Sequence, residues 1–219
     1  MAQKFWFTSD LHLSHKLVAN TRGFSSIEEM NEKIYRMFDV VEKDDFVYIL
    51  GDVGWDADDI KKFLNYLIMK KKVDKVVIIE GNHDKNWIGK FELHPRVEIH
   101  DTLMLKSQKS NGYRPIFLSH YPHILFDKSH HGAYQLHGHG HADTVDRPLL
   151  DALQMGKRLN VNCELNDYKL WSRDDIEEFM KTKPENIDFY LCKGTDRQKE
   201  RALKIIKKMG RILKELENL

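Results

Sequence analysis

Three short apolar segments near the start of the chain each end in a group of polar residues, and this arrangement restricts the fold more than any other feature. The segments are Lys4–Ser9, Asp45–Leu50 and Lys75–Glu80, and their length and apolar content predict buried strands. Between them, apolar residues at helical spacing predict helices over residues 27–41 and Asp58–Lys71. Strands and helices that alternate in this way favour a parallel sheet with the helices packed against it.

The sequence after His94 has a different pattern. Four predicted strands follow one another without helices between them, and these are Val97–Lys106, Arg114–Ser119, Ala133–Leu136 and Arg158–Val161. This pattern favours a second, more mixed or antiparallel sheet. Ser172 with Asp175 begins a further predicted helix, and a last helix covers roughly Arg197–Leu219. We therefore predict a single domain over residues 1–219, with a motif-bearing core at about 4–165 and a helical extension at about 172–219.

The composition is that of a soluble globular protein, with 41% hydrophobic and 32% charged residues. The chain opens without a leader-like apolar segment and contains no window of roughly 20 apolar residues, so we expect a cytoplasmic protein that does not enter the membrane. A net charge of +1 gives no general attraction to nucleic acid. Cys163 and Cys192 are too few for a disulfide framework, and we expect both to be reduced thiols.

Polar residues able to bind a metal follow each of the first three strands directly. They are Asp10-Leu11-His12, Gly51-Asp52 and Gly81-Asn82-His83-Asp84. In open α/β sheets, ligand sites form beyond the carboxyl ends of the strands, so we expect these three groups to converge at one edge of the sheet. The two-residue spacing of Asp10 and His12 would direct both side chains to the same side of an extended strand.

Histidine is distributed unevenly, since seven of the twelve lie between His120 and His141. The motif Gly138-His139-Gly140-His141 places two imidazoles two residues apart, and His120 follows another predicted strand. Aspartate, asparagine and histidine together suit Mn²⁺, Fe or Zn²⁺, which accept mixed oxygen and imidazole ligands. Each motif alone is a weak indication, because a lone Asp-x-His or a His-rich loop is common. Their occurrence in this order, each at the end of a strand, predicts a metal site.

This series of motifs resembles that of the calcineurin-like metallophosphoesterase superfamily over roughly residues 4 to 165. The segment DLHLSHKLVANTRGF is also similar to a small bacterial and phage branch of that superfamily. The resemblance implies an α/β (α+β) fold in four layers, αββα, with two mixed β-sheets flanked by helices and further helices at the C-terminus. It also implies two divalent metal ions, held by Asp10, His12 and His141 at the first, by Asn82, His120 and His139 at the second, and by Asp52 between them.

Such a site would carry out hydrolysis at phosphorus. Two cations about 3.5–4 Å apart can hold the attacking and non-bridging oxygens of an in-line displacement. A water shared between them has a pKa of roughly 7, so that a metal-bound hydroxide is the expected nucleophile. Mn²⁺ is the expected metal, with Fe, Zn²⁺ or Ni²⁺ as alternatives. By resemblance, His83 protonates the leaving oxygen and Asp84 orients its imidazole.

His15, Asn20 and Arg22 follow the first motif in a segment that we expect to be a loop or short turn. They are candidate substrate-binding residues, because the planar guanidinium of Arg22 suits phosphate oxygens and the same extended block is found in the phage-type branch. The alternative is the ordinary polarity of a solvated loop.

Several aromatic side chains and histidines lie close to the motifs in the sequence. Trp55, Trp87 and Tyr121 are candidates for stacking on a base, although aromatic residues belong more often to the core. His123 is a candidate for the mouth of the site, whereas the pair His130-His131 is expected in an exposed loop.

The last predicted helix has an apolar stripe with spacings 3-4-3-4-3, formed by Ala202, Ile205, Met209, Ile212, Leu216 and Leu219. The opposite face is mostly Lys and Arg, and from Lys193 to Leu219 nine basic residues stand against four acidic ones. Packing on the protein itself, a short homodimer helix, and a basic face for nucleic acid or membrane are all compatible with this pattern.

The sequence therefore predicts a dinuclear metal-dependent phosphoesterase that hydrolyses a phosphomonoester or phosphodiester, with a small nucleotide-type substrate favoured. One alternative is a nuclease or nucleic-acid end-processing phosphatase, to which the basic C-terminal helix would contribute. A remote alternative is a non-catalytic, metal-stabilised interaction scaffold, which the retention of all seven candidate ligands opposes.

Overall fold

The computed structural model describes residues 3–107, 112–141 and 156–216, and within them nine strands form two sheets. The strands are β1 (Phe5–Thr8), β2 (Phe46–Ile49), β3 (Lys75–Ile79), β4 (Val97–His100), β5 (Thr102–Leu105), β6 (Ile116–Ser119), β7 (Tyr134–His137), β8 (Arg158–Asn160) and β9 (Trp171–Ser172). The first sheet has the order β4-β3-β2-β1-β9, with β1 to β4 parallel and β9 antiparallel to β1. The predicted parallel arrangement of the first three strands is confirmed.

Helices α1 (Lys16–Thr21), α2 (Ile27–Met37) and α3 (Ala57–Asn65) cover one face of the first sheet. Successive side chains of a strand point to opposite faces, so each strand contributes to two cores. In β2, Val47 and Ile49 pack against the helices, whereas Tyr48 points to the other face. Helix α2 begins at Ser26, whose side chain accepts the N–H of Glu29.

The second sheet has the order β5-β6-β7-β8, with β5 antiparallel to β6 and the other three strands parallel. It packs against the open face of the first sheet through a core that includes Phe7, Tyr48 and Val77 on one side and Leu118 and Leu136 on the other. The protein thus has two mixed sheets flanked by helices, as the sequence predicts.

Three helices follow β9. Helix α4 (Arg173–Lys181) begins at Ser172, which forms the predicted capping box with Asp175, and it adds Ile176 and Met180 to the core between the sheets. Helix α5 (Ile187–Lys193) contacts the turn Ser129–His131, and α6 (Asp196–Leu216) contacts α5.

Only part of the apolar stripe on α6 can be located. Ala202 is buried, whereas Leu203 and Ile206 beside it are exposed. The side chains of Met209, Ile212 and Leu216, and all of Leu219, lie outside the described part of the structure.

Two predicted elements are wrong. The run Val97–Lys106 is two strands, because the chain leaves the first sheet at Asp101 and β5 then pairs with β6 in the second. A continuous apolar run contains no signal for such a crossing. The segment after the first motif is helix α1 and not a loop, and it begins where Nδ1 of His15 accepts the N–H of Val18 (3.3 Å). Six residues are too short for helical periodicity to be visible.

Cys163 is buried, Cys192 is exposed, and neither forms a disulfide. Burial raises the pKa of the Cys163 thiol to about 12, which keeps it protonated. Among the described residues, no helix has both the length and the apolar character needed to cross a bilayer.

Candidate metal centre

The loops after β1 and β2 run side by side beyond the ends of their strands. The N–H of Asp10 donates to the carbonyl of Gly51 (2.9 Å) and that of His12 to the carbonyl of Asp52 (3.0 Å), so parallel pairing continues past the sheet. The third loop joins them through the N–H of His83, which donates to Oδ1 of Asp52 (2.9 Å). The three motifs therefore converge at the carboxyl edge of the first sheet, as expected for an open α/β sheet.

Four of the residues predicted to bind metal have a left-handed backbone. Their φ angles are +55° at Asp10, +52° at His12, +56° at Asp52 and +67° at His139. Such conformations are uncommon for residues with a Cβ, cost of order 1–3 kcal/mol each and cluster at functional sites. Asp10 and His12 are therefore brought together by tight turns, and not by the alternation of an extended strand that their spacing suggests.

Glycine at two positions lets the loops approach each other closely. Gly51 has φ of +90°, and a Cβ there would collide with the ring of His120. A Cβ on Gly138 would lie 2.5 Å from Oδ2 of Asp10. This close approach allows the N–H of His139 to donate to both carboxylate oxygens of Asp10, at 3.2 and 3.1 Å.

Asp10, His12 and His141 form the first half of the site. Nε2 of His12 lies 3.3 Å from Nε2 of His141, and Oδ1 of Asp10 lies 3.7 Å from that same atom of His141. One ligand atom from each of the three residues lies within 4.8 Å of the others. Nδ1 of His141 faces Oε1 of Glu164 (3.4 Å), which favours the proton on Nδ1 and directs the lone pair of Nε2 towards the other ligands.

Asn82, His120 and His139 form the second half. Oδ1 of Asn82 lies 3.1 Å from Nε2 of His120 and 3.2 Å from Nδ1 of His139. Nδ1 of His120 donates to the carbonyl of Leu50 (2.8 Å), so in the neutral imidazole the lone pair of Nε2 faces the amide oxygen. Two acceptors that face each other repel unless a cation lies between them.

Asp52 belongs to both halves. Its Oδ2 lies 3.6 Å from Nε2 of His12 in the first half and 3.6 Å from Nε2 of His120 in the second. Asp10, Asp52 and His120 also have ligand atoms within 4.8 Å of one another. A carboxylate in this position can contact a cation in each half.

The pKa directions of Asp10, His12 and His139 fit a bound cation, whereas that of His141 is set by its acidic neighbours. Burial raises the pKa of Asp10, because its charge has lost contact with water. Burial also lowers the pKa of His12 and His139, which favours the neutral imidazoles that metal binding needs. At His141 burial again lowers the pKa, but the hydrogen bond to Glu164 and the charge of Asp10 outweigh it and raise the pKa. Buried carboxylates among imidazole lone pairs are stabilised by divalent cations, so these residues fit the metals that the resemblance implies.

Asp84 holds the backbone of two of the motifs together. Its buried carboxylate accepts four hydrogen bonds of 2.8–2.9 Å. The donors are the N–H groups of Gly81, Asp52 and Val53 and Nε1 of Trp87. The carboxylate thus ties the second motif to the third, and the orientation of the His83 imidazole by Asp84 stays a prediction. Of the two readings given for Trp87, base stacking and the core, the structure shows the core, because this side chain is 1% exposed.

His83 lies beside the first half of the site. Its ring centroid is 5.3 Å from that of His12, 5.7 Å from that of His15 and 6.0 Å from that of Trp55. Because Nδ1 of His15 accepts the N–H of Val18, the proton of the neutral His15 ring is on Nε2, where it is available to a ligand. Burial lowers the pKa of His15 and favours this neutral form.

Arg22 points into the protein. Its Nη2 donates to the carbonyl of Asp10 (2.7 Å), its Nη1 to that of Leu11 (3.2 Å), and its Nε pairs with Oε2 of Glu164 (2.6 Å). These contacts hold the backbone of the first motif, and they favour a positioning role over the predicted contact with phosphate. Asn20 is exposed on α1, and its predicted role in binding substrate stays a prediction.

Sequence reasoning misses Glu164. Its carboxylate lies between Nδ1 of His141 (3.4 Å) and Nε of Arg22 (2.6 Å). Nearby, Nδ2 of Asn162 donates to the carbonyl of Gly140 (3.1 Å) and supports the same loop. Their place in the sequence could have indicated this role. Both residues follow β8, and the carboxyl end of β8 lies at the same edge of the sheet as that of β7.

Two exposed aromatic side chains lie beside the site. Trp55 is 50% exposed and its ring centroid is 4.6 Å from that of His15. Tyr121 is 46% exposed and its ring centroid is 4.6 Å from that of His139. A cleft opens next to the second half of the site, and its lining includes Lys85, Thr102, Tyr121 and His123 together with Asn82 and His120. His123 therefore lies where a residue at the mouth of the site is expected.

Known proteins share this sequence pattern and fold. The chain matches the family described as calcineurin-like phosphoesterase over residues 3–204. It is 32% identical over 178 residues to the uncharacterized protein MJ1445 of Methanocaldococcus jannaschii, an alignment that covers 80% of this chain and 89% of that protein. It is 27% identical over 200 residues to the Gene 66 protein of Mycobacterium phage L5, covering 80% of this chain and 93% of the phage protein. Among solved structures, AQ665 of Aquifex aeolicus, a protein of unknown function, aligns with a TM-score of 0.60 and 25% identity, over 81% of this chain and 100% of that one.

The family match includes every predicted metal-binding motif, from Asp10 to His141. The phage relative agrees with the branch that the segment after β1 resembles. The chain therefore belongs to the calcineurin-like phosphoesterase family of metal-dependent phosphoester hydrolases.

Proposed function

We propose that this protein is a dinuclear metal-dependent phosphoesterase that hydrolyses a phosphomonoester or phosphodiester, with a small nucleotide-type substrate favoured. The observation that carries the proposal is the position of Asp52, whose Oδ2 is 3.6 Å from Nε2 of both His12 and His120. These two imidazoles belong to different halves of the site, so one carboxylate can serve a cation in each half.

The ligands divide between the two ions, with Asp10, His12 and His141 at the first, Asn82, His120 and His139 at the second, and Asp52 shared. When bound, two such cations acidify the attacking water and balance the charge that develops on the phosphate oxygens. Mixed oxygen and imidazole donors make Mn²⁺ the expected metal, with Fe, Zn²⁺ or Ni²⁺ as alternatives.

His83 is the residue that we expect to protonate the leaving oxygen. The residue is half-buried and its ring centroid lies 5.3 Å from that of His12, while its backbone N–H donates to Oδ1 of Asp52. Nε2–H of His15 is placed to donate to the substrate, and Asn20 lies farther along the same helix. A proton donor next to the metal centre contributes about 10²–10⁴-fold to the rate when the leaving group is poor.

The proposal extends to a cytoplasmic protein that pairs with a second copy through α6. Leu203 and Ile206 lie on the same face of this helix and are 49% and 41% exposed. Burial of such apolar side chains against a second copy would stabilise a dimer. A light-scattering mass equal to that of one chain would contradict this part of the proposal alone.

A metal and substrate panel tests the proposed function. The purified protein is dialysed against EDTA, reloaded with Mn²⁺, Fe²⁺, Zn²⁺ or Ni²⁺, and assayed on p-nitrophenyl phosphate, bis-p-nitrophenyl phosphate and 2′,3′- and 3′,5′-cyclic nucleotides. We expect about two equivalents of metal per chain by elemental analysis, and hydrolysis that only metal restores. Full activity with one equivalent bound would contradict the dinuclear mechanism. Two bound equivalents without hydrolysis of any phosphoester would favour the interaction scaffold.

A further inference from the structure

The aromatic side chains that are exposed to solvent lie beside the metal centre. The chain has 11 Phe, 4 Trp and 8 Tyr, and all of them lie in the described ranges. Of these residues, only Trp55 and Tyr121 are exposed, at 50% and 46%. An aromatic ring in water forgoes the stabilisation that burial gives, so an exposure limited to one site indicates a surface for a ligand.

Trp55 lies next to the first half of the metal centre. Its ring centroid is 4.6 Å from that of His15 and 6.0 Å from that of His83, and both of these rings lie within 5.6 Å of that of His12. The N–H of Trp55 donates to the carbonyl of Leu13 (2.8 Å), which fixes the backbone at this point. The indole is therefore held at the rim of the first half.

Tyr121 lies next to the second half. Its ring centroid is 4.6 Å from that of His139 and 5.0 Å from that of His120, and its hydroxyl is 3.4 Å from Oδ1 of Asn82. Its carbonyl accepts the hydroxyl of Ser119 (2.8 Å), so this backbone is fixed too. Lys85 lines the same cleft as Tyr121 and supplies a positive charge there.

From this placement we propose that the protein acts on single-stranded nucleic acid, with one base stacked on Trp55, the next stacked on Tyr121, and the phosphodiester between them at the metal centre. The proposal rests on the phosphodiester hydrolysis of the proposed function, and within it favours a single strand over the small nucleotide named there. A mononucleotide has one base and would use only one of the two rings. In a duplex the faces of the bases are covered by their neighbours, whereas in a single strand they are open to aromatic side chains.

Lys85 and the metal ions would contact phosphates, which carry no sequence information. Every base has a π-face, so we also expect little sequence preference. The low net charge of +1 is compatible with this mode of binding, because stacking and not a general electrostatic attraction provides the affinity.

Binding of an oligonucleotide in the presence of EDTA tests the proposal without hydrolysis, because EDTA removes the metal that turnover needs. The probe is fluorescein-labelled hexathymidylate, followed by anisotropy, with a hexamer of abasic deoxyribose phosphates as the comparison. Trp55→Ala and Tyr121→Ala should each raise the Kd for hexathymidylate about tenfold, and Trp55→Phe and Tyr121→Phe should restore most of the affinity. The abasic hexamer should bind the wild-type protein more weakly and should not distinguish the variants.

Met69→Ala is the matched control. This side chain is 65% exposed in the π-helical segment Tyr66–Lys70 that follows α3, and its removal should leave binding unchanged. Equal affinity for the two hexamers, or wild-type affinity in both alanine variants, would overturn the proposal. A protein that hydrolyses p-nitrophenyl phosphate but does not bind hexathymidylate would overturn the nucleic-acid substrate and leave the proposed function standing. Binding with the expected variant pattern, but no hydrolysis of any phosphoester with metal restored, would overturn the proposed function instead.

Discussion

The two halves of the metal centre differ in their exposure. In the first half, Asp10 and His12 are 0% and 2% exposed, and the side chain of His141 is 21% exposed. In the second half, His120 is 1% exposed, but Asn82 is exposed and His139 is half-buried. The first half is thus enclosed by protein, whereas the second opens into the cleft.

The halves also differ in what supports them. Behind His141, the carboxylate of Glu164 pairs with Arg22, which in turn holds the backbone of the first motif. In the second half, the carbonyl of Leu50 supports His120. Partners of this kind raise the affinity of a ligand set for metal. On the proposed two-ion scheme, the first half would retain its ion and the second half would present its ion to substrate.

The largest effect is expected from Asp52→Asn, because this residue serves both halves. The amide keeps the volume but removes the negative charge, so both ions should be lost and kcat/KM should fall about 10³-fold or more. Elemental analysis and a phosphoesterase assay measure the two effects. Asp167→Asn is the matched control, because Asp167 is also a left-handed aspartate (φ +51°) but its side chain is 81% exposed. Retention of both metal and activity in purified Asp52→Asn protein would refute the shared-ligand assignment.

His83→Ala should separate proton transfer from metal binding in the first half. We expect about two equivalents of metal to remain and kcat to fall about 10²–10³-fold on an alkyl ester, with a smaller loss on a p-nitrophenyl ester, whose leaving group needs no proton. A loss of the same size on both esters would contradict the role of His83 as proton donor.

Asp84→Asn, two residues from Asn82, should act on stability instead. Asparagine places an NH₂ group against backbone N–H donors, so the free energy of unfolding should fall by about 2–3 kcal/mol. Thermal or urea unfolding of the metal-free protein measures this loss. Unchanged stability together with a loss of kcat equal to that of His83→Ala would contradict this structural role and favour the predicted His83–Asp84 pair.

The sequence was sufficient to predict the strands that position the first half of the site. β1, β2 and β3 are short apolar runs, and their periodicity fixes which residues face each core. The placement of Asp10, Asp52 and Asn82 at one edge then follows from parallel pairing alone. This prediction needs only the local apolar runs and the rule that the carboxyl ends of parallel strands lie at one edge of the sheet.

Other features depend on contacts between distant residues, which a sequence pattern does not contain. The division of the run Val97–Lys106 at Asp101 depends on which sheet edge each part meets. The left-handed backbone of Asp10 and Asp52 is maintained by the surrounding loops against the intrinsic preference of aspartate. Glu164 reaches His141 only because β8 lies beside β7. The bonds of Asp84 to three backbone N–H groups and to Nε1 of Trp87 could not be predicted from its place beside His83 in the sequence.

The smallest effect is expected from Glu164→Gln, which tests whether the charge behind His141 contributes to metal affinity in the first half. Glutamine can still accept a hydrogen bond from Arg22 but loses the charge that faces Nδ1 of His141. Partners of metal-binding histidines typically contribute 10–100-fold to affinity, so one of the two equivalents should bind about 10–100-fold more weakly while the other is unaffected. Competition with a fluorescent chelator measures both affinities, and Glu178→Gln, which removes a 75% exposed carboxylate paired with Lys181, is the control. If Glu164→Gln lowers the affinity for both metal equivalents alike, the two halves bind metal as one cooperative unit. If it weakens neither, the enclosure of the first half, and not its supporting charge, is what retains the ion.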